Sequence, residues 1–192
     1  MWLDSMRRRK FRSLLAFLPA AFLFLFLIPI LSISVSVSLD GCFQWTEINL
    51  KSFLLRIPVA APLLFTGSYL ALSSVVYLYR IGEGYPWGDA RKSDETKTLV
   101  TEGPYRYTRN PMVLGYTLIL SSLGILIGSV TMTLIIPSII LTIASIWIKL
   151  KEESALERRF GEAYLDYKRR VPFLIPKPKG EQSAEYNRDK TR

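Results

Sequence analysis

The sequence predicts an all-α polytopic membrane protein with four transmembrane helices, both termini in the cytoplasm, and a further cytoplasmic helix near the C-terminus. Three observations carry that prediction. Of 192 residues 49% are hydrophobic, and they fall in long charge-free runs instead of being spread at a surface-helix period. The 25 Lys and Arg outnumber the 16 Asp and Glu and gather at the ends of those runs. The stretch from Asn110 to Ile148 carries no charge, and as one helix it would reach about 58 Å, near twice the bilayer core.

The first span follows Arg7, Arg8, Arg9, Lys10 and Arg12 and stays uncharged from Ser13 to Leu39. A secretory signal has an apolar region of only about 7 to 15 residues, so this run reads as a crossing, with the basic cluster as a topology signal. The second uncharged run extends from Ile57 to Tyr79, with Pro58 and Pro62 near its start and Arg80 closing it. The run from Asn110 to Ile148 must fold back on itself. Gly128 and Ser129 near its middle predict a hairpin of Met112 to about Ile127 and Thr131 to about Leu150. Gly124 and Gly128 have the spacing that lets membrane helices approach closely. A polar helix from Lys149 to about Tyr167 continues the last span, carries Glu153 and Glu157 one turn apart, and ends at Val171, Pro172 and Pro176.

Orientation follows the positive charge. The N-terminal arm, the connection from Arg80 to Arg109 and the chain after Lys149 are basic, whereas Asp40 to Lys51 is short and nearly neutral. Trp45 and Trp147 sit near span ends, where interfacial aromatics gather. Residues 1–176 are expected to form a single membrane-embedded domain whose cytoplasmic segments are 82–115 and 149–176; 177–192 is a charged, disordered tail.

Composition excludes much chemistry. The chain has one cysteine, Cys42, and no histidine. A disulfide framework, a Cys or His zinc site and Ser-His or Cys-His catalysis are all ruled out, so no metal is expected. The basic residues are laid out as membrane flanks, not as a nucleic-acid patch.

Two segments hold more residue detail than insertion requires. Residues 101–115 read Thr-Glu-Gly-Pro-Tyr-Arg-Tyr-Thr-Arg-Asn-Pro-Met-Val-Leu-Gly, and 151–172 read Lys-Glu-Glu-Ser-Ala-Leu-Glu-Arg-Arg-Phe-Gly-Glu-Ala-Tyr-Leu-Asp-Tyr-Lys-Arg-Arg-Val-Pro. Together they resemble the isoprenylcysteine carboxyl methyltransferase family, which groups with phospholipid methyltransferases. The family pattern is G-P-Y-R-Y-x-R-(H/N)-P-M-Y-x-G, one hairpin, then E-E-x-x-L-x-x-x-F-G-x-x-Y-x-x-Y-x-x-x-V-P. Gly103, Pro104, Tyr105, Arg106, Arg109, Pro111, Met112 and Gly115 match the first part; Glu152, Glu153, Leu156, Phe160, Gly161, Tyr164, Tyr167, Val171 and Pro172 match the second. Gly82-Glu83-Gly84-Tyr85-Pro86 is also similar to a G-x-G-(T/Y)-P stretch of prokaryotic members. Asn110 stands where many members have His, and Val113 where Tyr is usual.

The resemblance implies transfer of a methyl group from S-adenosylmethionine to an amphiphilic or lipid acceptor, a prenylcysteine-type carboxylate or a phospholipid amine, in a prokaryotic plasma membrane. Arg109 and Glu153 are the implied catalytic pair. Gly103, Tyr105, Arg106, Asn110, Pro111, Met112, Glu152 and Glu153 are the implied cofactor-binding residues. Carboxylates can pair with the cationic groups of the cofactor, and Arg109 can hold a carboxylate by a bidentate contact. Tyr105, Tyr107 and Trp87 can cover the adenine or contact the cation. Membrane lipids are the expected surroundings, with no nucleic acid and no obligatory protein partner evident. Each residue also has a plainer reading: Glu152 and Glu153 as a solvated helix start, Arg106 and Arg109 as headgroup anchors, Pro111 as a helix start, and Phe160, Tyr164 and Tyr167 as packing. Two other functions suit the same residues, an NADPH-dependent sterol-type reductase relative and a noncatalytic membrane protein of the same fold.

Overall fold

The computed structural model describes residues 18–19, 21–43, 53–84 and 96–175. The basic cluster Arg7 to Arg12, Trp45, the Tyr85 to Trp87 stretch, Pro176 and the tail 177–192 lie outside the described residues. Among the described residues every regular element is helical: α1 (Leu23–Phe43), α2 (Phe53–Arg80), a 3₁₀ turn (Gly103–Arg106), α3 (Pro111–Ile127), α4 (Thr131–Phe160) and α5 (Glu162–Arg170).

α1, α2 and α4 are long and apolar enough to cross a membrane. α3, the third expected span, has 17 residues, about 26 Å of helix, just short of a bilayer core of about 30 Å. Its length is set by Gly128, whose left-handed backbone (φ 87°) turns the chain and sends its N–H to the Gly124 carbonyl at 2.8 Å. The expected hairpin is therefore present with nearly the expected ends. α2 starts a turn before Ile57, taking Arg56 into the helix.

The most extensive helix packing joins α2 and α3. A Cβ on Gly67 would stand 2.7 Å from the Gly115 carbonyl oxygen, so the two backbones touch where neither residue has a side chain. Gly124 does the same against Met132 and Thr133 of α4, as its spacing suggested, whereas Gly128 serves as a cap.

The α3–α4 turn is gripped by two charges, one from the expected Asp40 to Lys51 connection and one that the sequence pattern did not single out. The Asp40 carboxylate of α1 accepts from the Thr131 N–H at 3.2 Å and from the Thr131 hydroxyl, at the N-terminus of α4. Arg56 of α2 donates to the Ile127 carbonyl at 2.8 Å, at the C-terminus of α3. Each sign matches the partial charge of the helix end it meets. Ser32 and Ser36 are buried on the same α1 face as Asp40, one and two turns away. Nearer its other end α1 is held by Tyr116 of α3, whose hydroxyl donates to the Phe24 carbonyl at 2.9 Å.

α4 runs on past the apolar bundle. A π-helical turn over Ile148–Glu152 links its apolar part, ending in an exposed Trp147, to the charged part that begins at Glu153. The expected single polar helix from Lys149 to Tyr167 is broken at Gly161, whose φ of 53° and ψ of −131° suit glycine alone. After that break α5 folds back so that Tyr164, Tyr167 and Val171 form a small core with Leu99, Leu156 and Phe160.

Candidate active site

The segment before α3 is fixed by buried contacts made one after another. Gly103 faces the ring of Tyr77 of α2, with no room for a Cβ. Tyr105 turns inward to 9% exposure, hydrogen-bonds Ser74 of α2, and gives its backbone carbonyl to the Tyr167 hydroxyl at 2.7 Å. Thr108 is fully buried; its hydroxyl donates to the Phe173 carbonyl at 3.2 Å and accepts from the Asn110 N–H at 3.3 Å. The Arg109 N–H donates to the Pro172 carbonyl at 3.0 Å, and the Asn110 side-chain amide donates to the Phe173 carbonyl at 3.0 Å. The chain after α5 is thereby laced across the start of α3. These bonds satisfy backbone carbonyls that no helix uses and hold the Arg109 backbone still.

The Arg109 side chain meets Glu153 of α4. Its terminal nitrogen pairs with Glu153 Oε1, and only 11% of the arginine side chain and 7% of the glutamate side chain are exposed. Lys168 of α5 binds the other oxygen, Oε2, at 3.0 Å, and Glu157 at 2.7 Å. Both hydrogen bonds favour the ammonium and raise the Lys168 pKa above its ordinary value. Burial pushes the Tyr164 phenol up to about 12, with the Glu153 charge acting in the same direction and Arg109 opposing it. Burial also raises Tyr105 and Tyr167, so all three phenols stay protonated near neutrality. The Arg109 guanidinium lies 5.6 Å from the Phe173 ring centre, and the Lys149 ammonium lies 4.9 Å from it. The Arg109 Nε is buried and has no hydrogen-bond partner.

Of the residues expected from the sequence, Arg109 and Glu153 are in direct contact. Asn110 adjoins them through its bond to Phe173, although its amide donor is thereby engaged within the chain. Glu152 is half-buried, and its charge acts on the Tyr105 phenol. Pro111 is buried at the first position of α3, and Met112 is half-buried in the same turn. Arg106 is exposed, and Gly103 packs on Tyr77. Lys168, Phe173 and Thr108 were missed. The signal for Lys168 was periodic: Tyr164, Tyr167, Lys168 and Val171 repeat at i, i+3, i+4 and i+7, which puts the lysine on the inward face of α5. Among the described residues, no group of three or more His, Cys, Asp or Glu is arranged to hold a metal.

Residues 55–163 match the phospholipid methyltransferase family, from α2 to just past the start of α5. The chain belongs to that family. As a phospholipid methyltransferase family member it keeps Arg109 and Glu153 inside the matched region, and Tyr164, Lys168 and Phe173 beyond it. The chain is also 31% identical over 110 residues to the protein-S-isoprenylcysteine O-methyltransferase of Schizosaccharomyces pombe. That alignment covers 57% of this chain and 45% of the relative, so the chain spans less than half the length of the curated protein it matches. No solved structure matches it.

Proposed function

We propose that this protein is an S-adenosylmethionine-dependent methyltransferase that works at the cytoplasmic membrane surface on a lipid-like acceptor, either a prenylcysteine-type carboxylate or a phospholipid amine. The family and the named relative support methyl transfer at a membrane. The observation that carries the reading is the buried Arg109 and Glu153 pair, with a spare arginine N–H, at the end of an apolar helical bundle.

The residues present suit the cofactor. Its amino-acid end carries a carboxylate and an ammonium, and the site offers an unsatisfied buried donor in Arg109 Nε and a buried carboxylate in Glu153. Arg109, Glu153, Glu152, Asn110 and Tyr105 would hold it, with Gly103, Arg106, Pro111 and Met112 shaping the segment around it. When bound, the cofactor supplies a methyl group on a positively charged sulfur. The protein's own part is positioning and the exclusion of water. Tyr105, Tyr164 and Tyr167 keep their protons at neutral pH and act as donors, not bases. A carboxylate acceptor needs no base at all, whereas an amine acceptor must give up a proton.

The same reading places residues 1–176 in one membrane-embedded domain with four crossings, both termini in the cytoplasm, and α5 at the cytoplasmic surface. α3 then crosses as the short member of a hairpin whose turn is gripped by Asp40 and Arg56.

The test is to incubate purified protein in lipid nanodiscs with radiolabelled S-adenosylmethionine and a total membrane lipid extract. Label should appear in a lipid fraction, and cofactor should bind where NADPH does not. Binding of NADPH alone would defeat the reading in favour of a reductase.

A further inference from the structure

Glu153 is held by two cations, and only one lies within residues 55–163, which match the family model. Arg109 takes Oε1, while Lys168, beyond residue 163 where the family match ends, takes Oε2 at 3.0 Å. Lys168 also reaches Glu157 at 2.7 Å, one turn further along α4. Two carboxylates one turn apart on a helix repel each other, and one of these is nearly excluded from water. An ammonium shared between them removes the repulsion. It also occupies the second oxygen of Glu153, so the plane of that carboxylate is defined by contacts from α5 and from the segment that precedes α3.

We infer that Lys168 is a positioning residue of the methyl-donor site: by tying Glu157 to Glu153 it fixes the carboxylate that faces Arg109. The inference rests on the function proposed above. α5 has nine residues and joins α4 through Gly161, so nothing in the local chain sets where its side chains fall relative to Glu153. The aromatic core of Tyr164 and Tyr167 docks the helix, and Lys168 on the same face delivers the charge. With a side chain 37% exposed, Lys168 can be replaced without opening that core.

The experiment measures the Kd for S-adenosylmethionine and kcat for Lys168→Met and Lys168→Arg in nanodiscs, beside the melting temperature. Lys168→Met should raise Kd roughly tenfold and change kcat less than about threefold, the mark of lost binding rather than lost chemistry. Lys168→Arg should restore Kd to within about threefold of the parent, because a guanidinium can bridge the same two carboxylates. An unchanged or lower Kd for Lys168→Met overturns the inference, as does an arginine variant that regains thermal stability without regaining affinity. Lys168→Gln is the second variant, and loss of folded protein in both uncharged variants would make the residue structural and overturn it too. A parent protein that binds no S-adenosylmethionine would instead overturn the proposed function itself.

Discussion

The Tyr167 hydroxyl donates to the backbone carbonyl of Tyr105 at 2.7 Å across 62 residues of chain, pinning α5 to the turn that leads into Arg109. Both groups are buried, so removing the donor strands a carbonyl away from water. Tyr167→Phe should lower stability by about 1–3 kcal/mol. Thermal unfolding in detergent measures it, and a melting temperature equal to the parent's would show that the bond contributes nothing.

Arg109 and Glu153 should behave as a unit. Truncating Glu153 leaves the Arg109 guanidinium buried without its carboxylate, an expected loss of about 3–5 kcal/mol, whereas truncating Arg109 leaves Glu153 paired with Lys168 and should cost less. The double variant Arg109→Ala/Glu153→Ala should regain part of that stability yet remain unable to bind S-adenosylmethionine. Chemical unfolding and equilibrium dialysis separate the two effects. Additive destabilisation would deny the coupling.

Gly161→Ala should cost about 1–3 kcal/mol although a new Cβ would meet nothing within 4 Å, because the expense lies wholly in backbone strain at φ 53° and ψ −131°. Limited proteolysis should then cut near the α4–α5 junction sooner than in the parent.

Stability should be level through neutral pH and fall above about pH 10. Tyr164 is raised from 10.0 to about 12, and Tyr105, Tyr167 and Lys168 are raised as well. A group whose folded pKa is raised holds its proton more tightly in the native state. Its contribution is complete below the unfolded pKa and drains away as pH climbs through the folded one. Melting temperatures from pH 7 to 11 test this, and a decline already under way at pH 8 would contradict it.

The features read correctly from the sequence are those whose cause is local. An uncharged run too long for one crossing had to fold back, and Gly128 marked where. The two motifs on either side of that hairpin named Arg109 and Glu153, which are in contact. The features that escaped depend on distant partners. Asp40 read as a loop residue because Thr131, which it caps, lies 91 positions away. Arg56, just before the second uncharged run, drew no reading because its acceptor, Ile127, is 71 positions away. The break at Gly161 was hidden because helix-forming polar residues continue on both sides of a glycine that a helix tolerates at modest cost. Lys168 had a periodic signal, but no pattern in one chain says which carboxylate a surface-seeking lysine will meet.

The π-helical turn over Ile148–Glu152 settles how the lipid-facing stripe of α4 and its acid pair are aimed. In an unbroken α-helix the azimuth of each side chain is geared to its predecessor by about 100°. A wider turn slips that gearing by roughly one residue, so Trp147 and Glu153 point where each is needed instead of where a common rotation would send them. Straightening the turn at unchanged length would carry Glu153 round by about 100°, off Arg109, whereas deleting one residue between Ile148 and Glu152 would restore an α-helical turn and keep Glu153 near its present azimuth.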